Sequence, residues 1–122
     1  MVDSGSGFSP QRRLRTSKEF GRVFADPVRS ADRFFTVLAK PNDVGRARLG
    51  LAISRKAAKR AVDRNRLKRI ARESFRRKEL PALDFVVMAR PGAAAESSAA
   101  LHASLDASFE RLARKAGRPR HG

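Results

Sequence analysis

A chain of 122 residues with 28 Lys and Arg against 12 Asp and Glu has a net charge of +16. That excess repels the folded chain from itself at low salt and makes a polyanion the simplest partner. A hydrophobic content of 41% fits one folded domain rather than a disordered basic tail, and zero cysteines exclude a disulfide framework or a thiolate metal site.

No apolar run reaches the roughly 20 residues needed to span a bilayer. The opening MVDSGSGFSPQRR has no apolar stretch of the secretory type. A cytoplasmic, nucleic-acid-binding protein is therefore expected, with an anionic membrane surface as the lesser alternative. Residues 1–13, with Ser, Gly and Pro and then basic residues, read as a flexible basic arm.

TSKEF follows, and Thr16 with Glu19 forms a capping box that predicts a helix over Ser17 to Phe24. Phe20 and Phe24 stand at i and i+4 and share one face. Such a pair is core by spacing alone, with a stacking platform for single-stranded bases as the functional alternative. Pro27 ends the helix.

DRFFTVLAK (Asp32 to Lys40) is rich in aromatic and β-branched residues and predicts a strand. Alternation puts Phe35, Val37 and Ala39 on one face and Phe34, Thr36 and Leu38 on the other. PNDVGR is turn chemistry. ARLGLAIS (Ala47 to Ser54) predicts a second strand, read as its hairpin partner. Leu49, Leu51 and Ile53 line one face; Gly50 and Ala52 leave the other small enough for a shallow trough or a closely packed second layer.

KRAVDRNRLKRIARESFRRK (Lys59 to Lys78) predicts a long helix in which half the residues are Lys or Arg. At about 100° per residue, Leu67, Ile70, Ala71, Ser74 and Phe75 form a core-facing stripe. Asn65, Arg66, Lys68, Arg69, Arg72 and Arg76 fall on the opposite arc. Arg60 and Arg64 lie nearer the apolar side, at the first turns, where they are expected to project past the sheet edge. A solvated helix ordinarily alternates charge to gain i, i+4 pairs. One sign throughout points to phosphates. Arg adds bidentate and stacking geometry, and the Asn65 amide can both donate and accept. DFVVMAR (Asp84 to Arg90) predicts a buried strand. Leu101, Leu105, Phe109 and Leu112 predict a last helix from about Ser97 to Lys115, and GRPRHG is a basic tail.

No catalytic constellation emerges. The two histidines, His102 and His121, stand apart, and the carboxylates are single except Asp106 and Glu110, read as a solvated helix face. No phosphate-binding glycine loop is present; the GSG at Gly5 to Gly7 reads as a linker. A protein-only nuclease would have His102 as its first suspect.

The run KRAVDRNRLKRIARESF resembles the signature of the protein subunit of bacterial ribonuclease P. Its most specific element is Arg64-Asn65-Arg66 followed by Lys68, Arg69, Arg72 and Phe75. RLRTSKEFGRVF and RLGLAISRK precede it and DFVVMARPGA follows, in the family's order and spacing from about Arg13 to Lys115. The resemblance implies a single α+β domain over residues 14–116, between the arm and a basic tail at 117–122. Its implied order is α-β-β-β-α-β-α, with a short extra strand near Val28 to Ala31. A four-stranded mixed sheet and a left-handed βαβ crossover make it ribosomal-protein-S5-domain-2-like.

The same resemblance implies that Lys56, Arg60, Arg64, Asn65, Arg66, Lys68, Arg69 and Arg72 contact a catalytic RNA subunit. It implies that Phe20, Phe24, Arg33, Phe34, Phe35 and Leu38 line a cleft for the single-stranded 5′ leader of precursor tRNA. Leu38 stands where the family often has Tyr, and Phe34, on the same face by alternation, is the aromatic nearest to it. The implied activity is that of a ribonucleoprotein endonuclease whose RNA subunit cuts the phosphodiester with Mg²⁺. The polypeptide itself is expected to bind no cofactor, and no metal site is assignable on it. Partners are the catalytic RNA and precursor tRNA, with no membrane and no protein partner required. The rival reading is a general structured-RNA-binding or chaperone protein.

Overall fold

The computed structural model describes residues 12–117. Helix α1 (Ser17–Phe24) starts where the capping box predicts: the Thr16 side chain accepts from the Glu19 N–H, and the Glu19 carboxylate accepts from the Thr16 N–H. Strands β1 (Val28–Ala31), β2 (Phe35–Pro41) and β3 (Arg48–Leu51) follow, then helix α2 (Ala61–Arg76), strand β4 (Leu83–Ala89), a 3₁₀ turn (Ala93–Ala95) and helix α3 (Ser98–Ala116). The short strand β1, implied by the resemblance rather than by pattern, is present.

The sheet order is β1-β2-β4-β3, with β1 and β2 antiparallel to their neighbours and β3 parallel to β4. The expected β2–β3 hairpin is thus not formed. β4 inserts between them, because its apolar run can be buried on both faces and belongs at the centre. β3 reaches it in parallel only through the crossover helix α2.

The sheet separates two apolar clusters. Phe35, Val37, Ala39, Leu49, Phe85 and Val87 face α2 and α3, where Phe75, Phe85 and Phe109 meet edge to face with centroids 5.4 to 6.0 Å apart. On the other side Leu14, Val23, Leu38 and Val86, with Phe20, Ala52 and Met88 against them, form a thin layer under α1.

Of the residues read as the basic arm, Arg12 and Arg13 are docked. Arg13 bridges to Leu49 alongside β3, and the Arg12 guanidinium lies 4.9 Å from the Phe75 ring centroid. The rest of the arm, and the tail beyond Gly117, lie outside the described residues.

Candidate nucleic-acid interface

Helix α2 buries Leu67, Ile70, Ala71, Ser74 and Phe75, the stripe its periodicity predicts. Lys59, Arg60, Asn65, Arg69, Arg76 and Arg77 are exposed, and so are Arg55 and Lys56 on the preceding loop; Lys68 and Arg72 are half-buried. Asp63 pairs with Arg60 on the same turn, at 3.7 Å. The cations therefore stay on one surface while the apolar stripe anchors it.

The two arginines of the triplet are committed within the protein. Arg64 Nη1 donates to the carbonyls of Ala58 (3.0 Å) and Lys59 (2.8 Å), holding the loop that enters the helix. The N-cap of α2, Arg60, makes no side-chain capping hydrogen bond, so the start of the helix is positioned through these loop carbonyls rather than through a cap. Arg66 reaches the other way: Nη1 donates to the Ala94 carbonyl (3.1 Å), and Nη2 to the Glu96 carbonyl (2.7 Å) and Ser98 Oγ (3.2 Å). It ties α2 to the start of α3. Asn65 between them is exposed.

Under α1 the floor of the trough is Leu38 and Val86, both buried. Phe20 is half-buried there and packs against Gly50, while Phe24 is 46% exposed at the helix end. Lys40 Nζ donates to the Ala25 carbonyl (2.6 Å), satisfying the end of α1. Arg33 is exposed, with its guanidinium 5.9 Å from the Phe34 ring.

Two of the cleft residues stand elsewhere. Phe35 is fully buried in the core beneath α2 and α3, on the opposite side of the sheet. Phe34 precedes the strand and packs against that same core, so it does not share a face with Leu38. The reason is Asp32: Oδ1 accepts from the N–H groups of Phe34 (2.8 Å) and Phe35 (3.0 Å), making a side-chain turn that breaks strand alternation at this point. Burial pushes the Asp32 carboxyl up. The hydrogen bonds from Ser104, Phe35 and Phe34, with the charge of Arg111, outweigh it and hold the group below its ordinary value of 3.8.

A polar network that the sequence did not announce anchors α1 to the sheet. Arg48 makes a two-pronged pair with Asp84 (Nε–Oδ1 2.8 Å, Nη2–Oδ2 2.9 Å) and approaches Glu19 at 3.6 Å. The hydrogen bond to Asp84 is the main reason Arg48 is held charged more firmly than usual. The N–H groups of Arg15 and Thr16, helped by Arg48, hold the Glu19 carboxyl below its ordinary 4.5. The available signal was an Arg in one apolar strand and an Asp opening another.

His102 sits on the α2–α3 seam, with Nε2 3.3 Å from Glu73 and Nδ1 3.4 Å from Arg77. Among the described residues no group of three or more His, Asp or Glu is gathered to hold a metal ion, and no helix is long and apolar enough to cross a membrane.

A family model described as Ribonuclease P matches residues 8–113. The chain belongs to the ribonuclease P protein family. It is 48% identical over 113 residues to the ribonuclease P protein component of Methylococcus capsulatus, covering 91% of this chain and 88% of the relative. It is 45% identical to that of Photorhabdus laumondii, covering 89% and 93%. Among solved structures, the RNase P protein of Staphylococcus aureus superposes with a TM-score of 0.76 at 29% identity, covering 82% of this chain and 94% of that one. That of Thermotoga maritima superposes at 0.71 and 29%, covering 84% and 96%. Membership makes the chain a component of an endoribonuclease complex, and the single α+β domain with a mixed sheet is the family's fold.

Proposed function

We propose that this chain is the RNA-binding subunit of a ribonucleoprotein that removes the 5′ leader from precursor tRNA in the cytoplasm. In this reading the domain of residues 14–116 docks α2 on the catalytic RNA subunit, and the trough under α1 guides the leader. The observation that carries the reading is the one-sided helix α2: an apolar stripe buried in the core and exposed Arg60, Asn65 and Arg69 on the outside, nearly free of acids.

The roles divide by what each side chain can reach. Lys56, Arg60, Lys68, Arg69 and Arg72 supply positive charge to phosphates, which lowers the repulsion between RNA strands. Asn65 contributes an amide suited to a base edge or a sugar. Arg64 and Arg66 shape this surface from behind through their carbonyl contacts, and their remaining N–H groups face the same partner. In the trough, Phe24 offers a ring face to an unstacked base and Arg33 a charge to the adjoining phosphate. Phosphodiester cleavage is assigned to the RNA subunit. Mg²⁺ would supply charge stabilisation there, held by RNA oxygens, since the described carboxylates are dispersed.

Cleavage of precursor tRNA at low Mg²⁺ tests the reading, using protein alone, RNA subunit alone and the two together. Cleavage is expected only from the combination. Cleavage by protein freed of RNA would overturn it and bring His102 back as a catalytic group. No stimulation of the RNA would leave a general RNA-binding protein.

A further inference from the structure

Helix α1 carries a row of cations on its outer side. Lys18 and Arg22 stand four residues apart, about 6 Å along the axis, and Arg15 comes just before the N-cap. All three are exposed. We propose that this ridge binds the phosphodiester backbone of an RNA strand, at a site apart from both α2 and the trough. The proposal rests on the reading of the chain as an RNA-binding subunit and adds a third surface to it.

The three charges are not used inside the protein. Arg15 bonds through its backbone N–H, which donates to Glu19 Oε1 (2.6 Å). Among the described residues, the side chains of Arg15, Lys18 and Arg22 meet no carboxylate and no hydrogen-bond acceptor. The acids nearest in sequence leave the row unneutralised. Glu19 accepts from the N–H groups of Arg15 and Thr16 and lies 3.6 Å from Arg48. Asp26 stands beyond the end of the helix.

The stability of α1 does not explain the row. Lys18 and Arg22, at i and i+4, repel each other. Lys18 also lies in the first turn, where the helix dipole disfavours a cation. The dipole accounts for Arg22, in the last turn, and counts against Lys18. Lys18→Glu would relieve both costs, so the lysine is there at the expense of the helix. An anion lying along the outer side removes the repulsion.

Geometry sets the ridge apart. Phe20 is two residues from Lys18 and two from Arg22, about 200° round the helix from each. The side that faces the trough and the side that carries the ridge are therefore opposite. Helix α2 packs on the other face of the sheet. With a helix about 10 Å across on either side of the sheet, the ridge and the outer surface of α2 stand more than about 20 Å apart. A strand segment lying on α2 does not meet the ridge. The step from Lys18 to Arg22 is close to that between successive phosphates of one strand, and the arginine forks match phosphate oxygens. A row of this kind suits a backbone better than a single inorganic anion.

The test measures affinity of the full chain against salt concentration for three RNAs: the cognate RNA subunit, precursor tRNA and mature tRNA. The variant is Lys18→Gln with Arg22→Gln. Arg29→Gln with Arg114→Gln, also at exposed positions, makes the same charge change elsewhere. The ridge variant is expected to lose about tenfold more affinity than the control for at least one of these RNAs, with about one to one and a half units of salt slope. Loss with the RNA subunit identifies the strand as belonging to that RNA. Loss with both tRNAs identifies it as the tRNA body, and loss confined to precursor tRNA identifies it as the leader. The urea midpoint of the ridge variant should stay at or above that of the wild type, and Lys18→Glu should raise it while lowering affinity. A midpoint that falls together with affinity assigns these side chains to the fold and overturns the proposal. A ridge variant that tracks the control with every RNA, while the wild type binds, overturns the proposal alone. A wild type that binds none of the three overturns the functional reading as well.

Discussion

The ring of Phe20 lies against the bare backbone of Gly50, so close that a Cβ built on the glycine would stand 2.7 Å from the ring's Cε1 and Cζ. The trough under α1 is therefore shaped by a missing side chain on β3 as much as by the aromatic on α1. Leu14 closes the same spot, 3.1 Å from that Cβ position.

Gly50→Ala is expected to push Phe20 off its seat and lift α1. Overpacking of this kind costs about 1–3 kcal/mol, readable as a lower urea midpoint with an unchanged slope. Weaker binding of leader-bearing substrate should accompany it. A midpoint equal to wild type would mean that the ring swings aside freely and that the close approach does not hold α1.

Phe24→Ala separates binding from folding, because its ring is 46% exposed. Its stability cost is expected within about 0.5 kcal/mol, while precursor tRNA binding weakens by roughly 1–3 kcal/mol for a lost stack. Mature tRNA should be unaffected. Phe20→Ala, by contrast, should lower both stability and leader affinity. Equal weakening of precursor and mature tRNA by Phe24→Ala would remove the ring from the leader site.

Arg66→Ala should act on the fold before it acts on RNA. It strips donors from the carbonyls of Ala94 and Glu96 and from Ser98, and a charged donor bonded in this way contributes about 2 kcal/mol. Faster amide exchange across residues 94–100 is the direct readout. Arg66→Lys should recover only part of it, since an ammonium cannot reproduce the fork. Wild-type exchange in the alanine variant would return Arg66 wholly to the RNA surface.

Acid should loosen the start of α1. The Glu19 carboxyl is depressed below 4.5 in the folded chain, so its contribution is fully present above that value and is lost as pH falls through the lower folded value. Asp32, depressed below 3.8, adds to the loss further down. Glu19→Gln lacks the first of these titrations. Its deficit in melting temperature against wild type is expected to be largest near neutrality and to shrink toward about pH 3. A deficit constant across that range would show that the capping contact does not depend on charge.

The sequence alone determined what short-range physics determines. The start of α1 follows from Thr16 and Glu19, three residues apart, and the two faces of α2 follow from a 3.6-residue period. Both rest on neighbours within one or two turns, so they can be read without knowing where the rest of the chain goes. The concentration of positive charge, and with it an anionic partner, needs no geometry at all.

Tertiary structure decided the rest, because its causes lie far apart in the chain. Residue pattern marks β2, β3 and β4 as strands, β4 by its continuous apolar run, but does not name their neighbours, and β4 came to lie between the other two. The hydroxyl of Ser104, 72 residues from Asp32, helps fix the turn that sends Phe34 and Phe35 to one core. The acceptors of Arg66 lie 28 to 32 residues away, so only folding shows that an arginine of the signature also braces the protein. Side-chain spacing along one element predicts which way a residue faces; what it meets there depends on which distant segments fold onto it.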